Sequence, residues 1–374
     1  MQNLTLSQIA IILLITIPLV SALSIQLMSL YASISIYVSA VLIMMAWVSY
    51  GKINRNFILY ILTFTFYMFI SLYYSNGGIG SILTFGLSIL SLELLKNVNL
   101  NLCIKKYFRV FTAVMVVLLF ISSFQYSGNQ GFDYEGLVNP NTIALLANYC
   151  FCIYICLSHL RVNKIIVLIL GIITLFTAIN CEARGAIIAF ISFVLMISIP
   201  RKFLKPKLLI STSVIIVAVG TLVPFIYLNL YEQNLQLQLI MNKPLFTGRQ
   251  RIWIEAFNLF GENGWNWVLG IGSKVKVWDS ATNLHNLYAT IIVDFGFIGY
   301  LFYFGYIFKL IVKICPNIVH NDEAKKNFFM YIALSLVQGF TETTTLNATM
   351  FVLANLGLAE AYRLIYIYKI REIK

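Results

Sequence analysis

The sequence predicts an all-α polytopic membrane protein with about twelve transmembrane helices, on three observations. Hydrophobic residues make up 60% of the 374 positions and charged residues only 11%, whereas a soluble domain carries about 25% charged residues. Mean hydropathy is +0.85. Apolar stretches near the roughly 20 residues that cross a bilayer recur from end to end. Residues 1–374 therefore read as one integral membrane domain rather than as several soluble ones.

The helices are predicted near 8–28, 31–49, 57–74, 79–95, 107–124, 141–159, 165–179, 185–200, 208–230, 286–312, 327–340 and 347–369. The first lacks the charged start and small-residue cleavage site of a signal peptide, and it is long enough to span. Cations then set the alternation. Lys52 and Arg55 follow the second helix; Lys96, Lys105, Lys106 and Arg109 follow the fourth; Arg161 and Lys164 follow the sixth. Arg201, Lys202, Lys205 and Lys207 follow the eighth, and Lys309, Lys313, Lys325 and Lys326 end or follow the tenth. Arg363, Lys369, Arg371 and Lys374 close the chain. All of these fall on one face, and the positive-inside rule makes that face cytoplasmic, with both termini. The net charge of +12 thus belongs to cytoplasmic loops, not to a nucleic-acid surface. Only Arg184, Lys243, Arg249, Arg251, Lys274 and Lys276 remain on the other face.

The six cysteines make no disulfide framework and no zinc pattern. Cys150, Cys152 and Cys156 share one apolar segment, where free Cys acts as a small hydrophobe, and Cys181 alone falls in an external loop. No metal site is expected.

Three external loops stand out. The first, 125–140, carries Asp133 and Glu135; the second is Asn180 to Gly185; the third, 231–285, is the largest polar stretch. This last loop holds Trp253, Trp265, Trp267 and Trp278. Thr247 and Gln250 have capping-box spacing, and Ile252, Trp253, Ala256, Phe257 and Phe260 fall on one helical face. The segment 249–260 is thus expected to be an amphipathic helix on the membrane surface or the bundle. Arg249 projects from the apolar face, four residues before Trp253, whereas Arg251 is spaced to pair with Glu255. A helix N-terminus and an arginine fork both suit a phosphate; an ordinary interfacial helix with a snorkelling arginine has the same pattern.

His285, in N-L-H-N, is the one external histidine, and His159 and His320 map to the cytoplasmic side. An imidazole there either caps the next helix or accepts a proton near neutral pH. Arg184 opens the eighth helix against the charge rule, either snorkelling beside Glu182 or facing a ligand. Two permanent cations and one titratable base suit an anionic diphosphate donor and an attacking hydroxyl. Asp294 lies too far along the helix to orient the imidazole, and Glu360 is spaced to pair with Arg363; both read as polar contacts inside the bundle.

The order N-P-N (139–141), A-R-G-A (183–186), T-G-R-x-x-I-W-x-x-A (247–256), G-I-G (270–272), H-N-x-Y (285–288) and D-F-G-F-I-G-Y (294–300) resembles the bacterial O-antigen polymerase and O-antigen ligase superfamily over roughly residues 130–305. The resemblance implies a GT-C-type glycosyltransferase that needs no metal or cofactor. It would act on undecaprenyl-diphosphate-linked glycans at the periplasmic face of the bacterial inner membrane. Arg184 and Arg249 would hold the diphosphate, and His285 would take the acceptor proton. Arg251, Asn286, Tyr288 and Asn141 would add substrate contacts, although the motif places its arginine directly after Gly248, where Arg249 stands. A polysaccharide chain-length regulator is the partner the family implies. A polymerase fits the T-G-R-x-x-I-W form and the compact external loop; a ligase acting on lipid A–core is the alternative. A twelve-helix transporter or flippase is disfavoured, because the two halves do not resemble each other and transport needs no external loop rich in Arg, Trp and His.

Overall fold

The computed structural model describes residues 4–50, 55–75, 79–126, 138–157, 163–233, 238–239, 243–244, 249–272, 276–277, 280–281, 284–347 and 349–372. Apart from two two-residue ribbons, 238–239 with 243–244 and 276–277 with 280–281, its described elements are helices, which suit a polytopic membrane protein, since only helices and closed barrels satisfy their backbone in lipid. The helices are α1 (Leu6–Ser21), α2 (Ile25–Tyr50), α3 (Arg55–Ser75), α4 (Ile79–Leu95), α5 (Leu102–Ser123), α6 (Pro140–Cys156) and α7 (Lys164–Asn180). They continue with α8 (Arg184–Ser198), α9 (Pro206–Glu232), α10 (Arg249–Gly261), α11 (Gly264–Leu269), α12 (Leu287–Ile318), α13 (Asp322–Tyr331) and α14 (Phe351–Glu372). Among the described residues, α2, α5, α9 and α12 are long and apolar enough to cross a membrane, and six further apolar helices are shorter.

Several boundaries differ from expectation, each for a local reason. The first two helices part at 22–24, not 29–30. The connector Ala22-Leu23-Ser24 is itself apolar and closes by turn hydrogen bonds (Leu23 N–H to Val20 O, 3.1 Å), so hydropathy does not mark it. Upstream, Thr5 and Gln8 form a reciprocal capping box for α1. Asn101 caps α5 earlier than expected, which places Lys105, Lys106 and Arg109 inside that helix. Asn321 caps α13 at Asp322, and α12 runs on to Ile318. Beyond α13 the helix widens to a π-helical turn at Ile332–Val337, then tightens to a 3-10 turn at Gln338–Phe340.

Packing separates a dry interior from a lipid-facing exterior. Val110, Leu168, Leu195 and Ile215 are exposed, as apolar groups in contact with lipid should be. The interior is built on aromatic contacts, such as Phe64 on Phe85 (4.8 Å) and Phe85 on Phe295 (4.6 Å) between centroids. Near the start of α5, Glu360 accepts from Arg363 (2.6 and 2.5 Å) and pairs with Lys105 (3.0 Å), while Arg363 also donates to Asn99 (2.8 Å). The expected Glu360–Arg363 pair is therefore present, and it joins α14 to α5.

The feature that positions the polar end of the bundle is a break in α12. Gly296 sits at φ 64°, ψ −175°, a region essentially reserved for glycine. The break frees carbonyls, and each finds a donor: Ile271 N–H to Val293 O (2.8 Å), Gly272 N–H to Asp294 O (3.0 Å), and the Tyr67 hydroxyl to Phe295 O. Ser71 holds the same loop through Leu269 O (2.7 Å). The 270–272 turn thus repairs the broken helix while anchoring α11 to it. A Cβ on Gly296 would fall 2.3 Å from Val268 O. Replacing Gly296 by Ala is expected to destabilise the protein by about 1–3 kcal/mol, seen as a lower thermal midpoint in detergent, with the 268–272 turn losing hydrogen-exchange protection first.

Candidate active site

Three elements bring the site together. The first is α10, whose Ile252, Trp253, Ala256 and Phe260 are buried against Ile271, Leu284, Ala289 and Val293. This is the amphipathic helix the spacing predicts, and it lies on the bundle through Tyr227 (4.9 Å from Trp253) and Phe225 (4.6 Å from Phe257). The proposed Thr247 cap lies outside the described residues. Arg249 is the first residue of α10 and is about one-fifth exposed.

The second element is the 284–286 segment leading into α12. The Trp253 indole N–H donates to Leu284 O (2.7 Å), so the amphipathic helix grips the residue next to His285. His285 itself has φ 49°, an uncommon conformation for a side chain with a Cβ. Asn286 is fully buried. Its carbonyl oxygen caps α12 by accepting from Ala289 N–H (2.8 Å), and its amide donates to Gly220 O (3.3 Å) and Phe340 O (3.1 Å).

The third element follows the 3-10 turn. Glu342 N–H donates to Gln338 O (3.0 Å), which fixes the carboxylate in the space between the other two. Glu342 Oε2 lies 3.3 Å from His285 Nδ1, and its Oε1 lies 3.5 Å from Arg249 Nη2. A carboxylate only accepts, so this contact suits the tautomer with the proton on Nδ1. The His285 and Glu342 side chains are 30% and 18% exposed, sheltered from water yet reachable.

Arg184 approaches from a fourth direction. Gly185 fits so closely under the 338–341 turn that an added Cβ would lie 2.0 Å from Thr341 Oγ1. Arg184 therefore begins α8 beside the Glu342 turn, close enough to Arg249 for their charges to interact. Glu182, two residues earlier, also has φ 49°. One left-handed residue thus stands two positions before Arg184 and the other is His285 itself, and such outliers concentrate at functional sites.

Of the residues expected from the sequence, Arg184, Arg249 and His285 gather here. Asn286 and Tyr288 do not present polar groups to the Arg249–His285–Glu342 cluster: both are fully buried, and the Tyr288 hydroxyl donates to Leu336 O (2.8 Å). They shape the wall. Arg251 is exposed on the outer side of α10, and among the described residues it forms no ion pair with Glu255, contrary to the spacing. Asn141 lies in the first turn of α6, its N–H held by the Asn139 side chain (2.9 Å), and it has no described contact with the Arg249–His285–Glu342 group. Glu342 is the residue sequence reasoning missed. Its signal was an acid in the polar run Thr341-Glu342-Thr343-Thr344-Thr345, between two segments whose alternation puts that run on the same face as His285.

Residues 165–304 match the family model described as O-antigen ligase, consistent with the O-antigen polymerase and ligase superfamily. The matched stretch contains Arg184, Arg249 and His285 and stops before Glu342. No curated protein and no solved structure matches the chain.

The indole contact can be tested apart from chemistry. Trp253→Phe keeps the ring packing but leaves the buried Leu284 carbonyl without its donor, at a cost of about 1–3 kcal/mol. Amides 284–289 are expected to exchange faster by the corresponding factor, while exchange in α5 and α6 stays unchanged.

Proposed function

We propose that this O-antigen ligase-family segment builds the active centre of a membrane glycosyltransferase that takes glycan from undecaprenyl diphosphate, and that the chain is an O-antigen polymerase. The observation that carries the reading is the sharing of one carboxylate, Glu342, by Arg249 and His285, with Arg184 beside them. Cations, a base and an orienting acid in one half-sheltered cluster are the parts that glycosyl transfer from a diphosphate requires.

In this reading the lipid diphosphate lies between Arg184 and Arg249. The bond between the sugar C1 and the diphosphate oxygen breaks, and its electron pair stays on the leaving diphosphate. Charge grows on that oxygen in the transition state, so fixed guanidinium groups stabilise it more than the ground state. The acceptor hydroxyl of the next lipid-linked repeat unit forms the new C1–O bond and gives its proton to His285 Nε2. Glu342 holds the imidazole by Nδ1–H and stabilises the imidazolium that results. It also holds the Arg249 guanidinium in position before substrate arrives. Asn286 and Tyr288 fix the backbone on which these groups stand. The active centre then faces the periplasm, and the cation-rich loops face the cytoplasm.

A second reading, ligation of finished glycan to lipid A–core, is favoured by the name of the matched family. The donor chemistry is identical and only the acceptor differs. A lipopolysaccharide gel from the host lacking this gene separates them. Core carrying a single repeat unit means a polymerase; bare core with long lipid-linked glycan accumulating means a ligase; an unchanged ladder rejects both.

Variants test the residue roles. Arg249→Ala is expected to lower transfer about 10²–10³-fold and His285→Ala about 10²–10⁴-fold, each at wild-type membrane abundance. Normal product from either inserted variant would remove that residue from the mechanism. For Glu342→Gln the expected signature is a fall in kcat with the donor KM unchanged or lower, because the guanidinium is released to the diphosphate while the imidazole loses its anchor. A raised KM at unchanged kcat would mean that Glu342 serves binding alone.

A further inference from the structure

Beneath the His285 segment lies a cavity of about 340 Å³, within the range of small-molecule pockets. It is bounded by Ser81 and Thr84 of α4, by Thr290, Asp294 and Phe295 of α12, and by Leu346. Among the described residues the Asp294 carboxyl has neither a hydrogen bond nor an ion pair. An acid within an apolar helix is costly to leave unpaired and commonly marks a functional position. Its neighbours sharpen the chemistry. The Thr84 hydroxyl donates to Gly80 O (2.9 Å), and the Thr290 hydroxyl donates to Asn286 O (2.8 Å). With those protons committed, both oxygens offer lone pairs to the cavity. A carboxyl group and two hydroxyl oxygens therefore line it, beside the apolar Phe295 and Leu346. Such a pocket suits a ligand rich in hydroxyl or amine groups with one apolar face.

We propose that this cavity is a sugar subsite, seating one hydroxyl- or amine-bearing ring of the substrate glycan on Asp294, Thr84 and Thr290. The inference rests on the transfer reading for the identity of the glycan, and it adds a division of labour. Asp294 stands about 10 Å along the axis from the first residue of α12, so one helix joins the two sites. Arg184 and Arg249 attract the diphosphate at one end, and the acid draws sugar donors at the other. Guanidinium groups at one end and carboxyl and hydroxyl groups at the other orient a glycan that has a phosphate at only one terminus. The break at Gly296 immediately follows the acid and its aromatic neighbour, which fixes the cavity floor through the same carbonyls that hold the 270–272 turn.

The test uses the purified full-length protein in nanodiscs without donor lipid. Saturation-transfer difference NMR is recorded with neutral hexoses, N-acetylhexosamines and free hexosamines at millimolar concentration. Ring-proton signal from at least one sugar class is expected. It should fall at least fivefold in Asp294→Asn, and in Thr84→Val should the first variant fail to fold. It should persist in Arg249→Ala. No signal from any sugar, or undiminished signal in both cavity variants, overturns the proposal. So does a thermal midpoint raised by sodium but not by choline chloride without any sugar signal, which assigns the cavity to a cation. Because no donor is present, failure of the transfer reading would show in the product gel and leave the sugar signal intact.

Discussion

The buried amide of Asn286 is the contact on which the polar end of this protein depends. Its oxygen starts α12, and its nitrogen reaches one carbonyl in α9 and another at the end of the 3-10 turn. Those are the three bodies that carry the functional side chains: α9 supports α10 and hence Arg249, α12 follows His285, and the 3-10 turn leads to Glu342. An amide with two donors and one acceptor suits this junction, because each partner is a backbone group that otherwise lacks water. An apolar replacement would orphan two buried carbonyls and a helix cap together, each worth about 1 kcal/mol or more. The same residue explains how His285 is kept in a left-handed backbone conformation: both its neighbours are pinned, Leu284 by the indole and Asn286 by its own side chain.

A second constraint comes from the low-dielectric interior. A helix interrupted inside an apolar bundle must find partners for the carbonyls it releases. Here they come from the 270–272 turn and from α3, so the interruption becomes the attachment point for the segment between α9 and α12. The described residues 249–272 of that segment consequently form a structured layer on the bundle. The exposed Trp265 and Trp267 occupy its outer surface, where an aromatic ring can sit between water and lipid, while Trp253 is turned inward. Tryptophans of one loop thus serve two purposes, and burial tells them apart.

Much of this was legible in the sequence because it follows from periodicity and hydropathy. The apolar runs gave the helices, the i, i+3, i+4 pattern of 252–260 gave α10 and its buried face, and charge sidedness left six external cations, Arg184 and Arg249 among them, beside the one external histidine, His285, before any geometry was known. What escaped was non-local or without a hydropathy signature. Apolar connectors such as 22–24 do not register as breaks. Asn286 and Tyr288 look like ligand residues in a motif, yet their polar atoms are consumed by carbonyls from 48 or more positions away in the chain. Glu342 was passed over because a lone acid in a threonine-rich connector has no pattern of its own. Only the fold shows that it stands between an arginine and a histidine.

The π-helical turn at Ile332–Val337 gives the region an unusual sensitivity to chain length. A wide turn accommodates one residue more than an α-helix would over the same rise, and each residue of helix corresponds to a rotation of about 100°. The π turn and the 3-10 turn that follows it together set the angle at which Glu342 meets His285. Removing any single residue from 332–337 would let the helix close to regular pitch and swing the following turn around the axis, without altering one side chain of the cluster. Spacing along the chain, in addition to residue identity, is therefore part of what specifies this centre, and a lineage that lost or gained one position here would have to rebuild it from another direction.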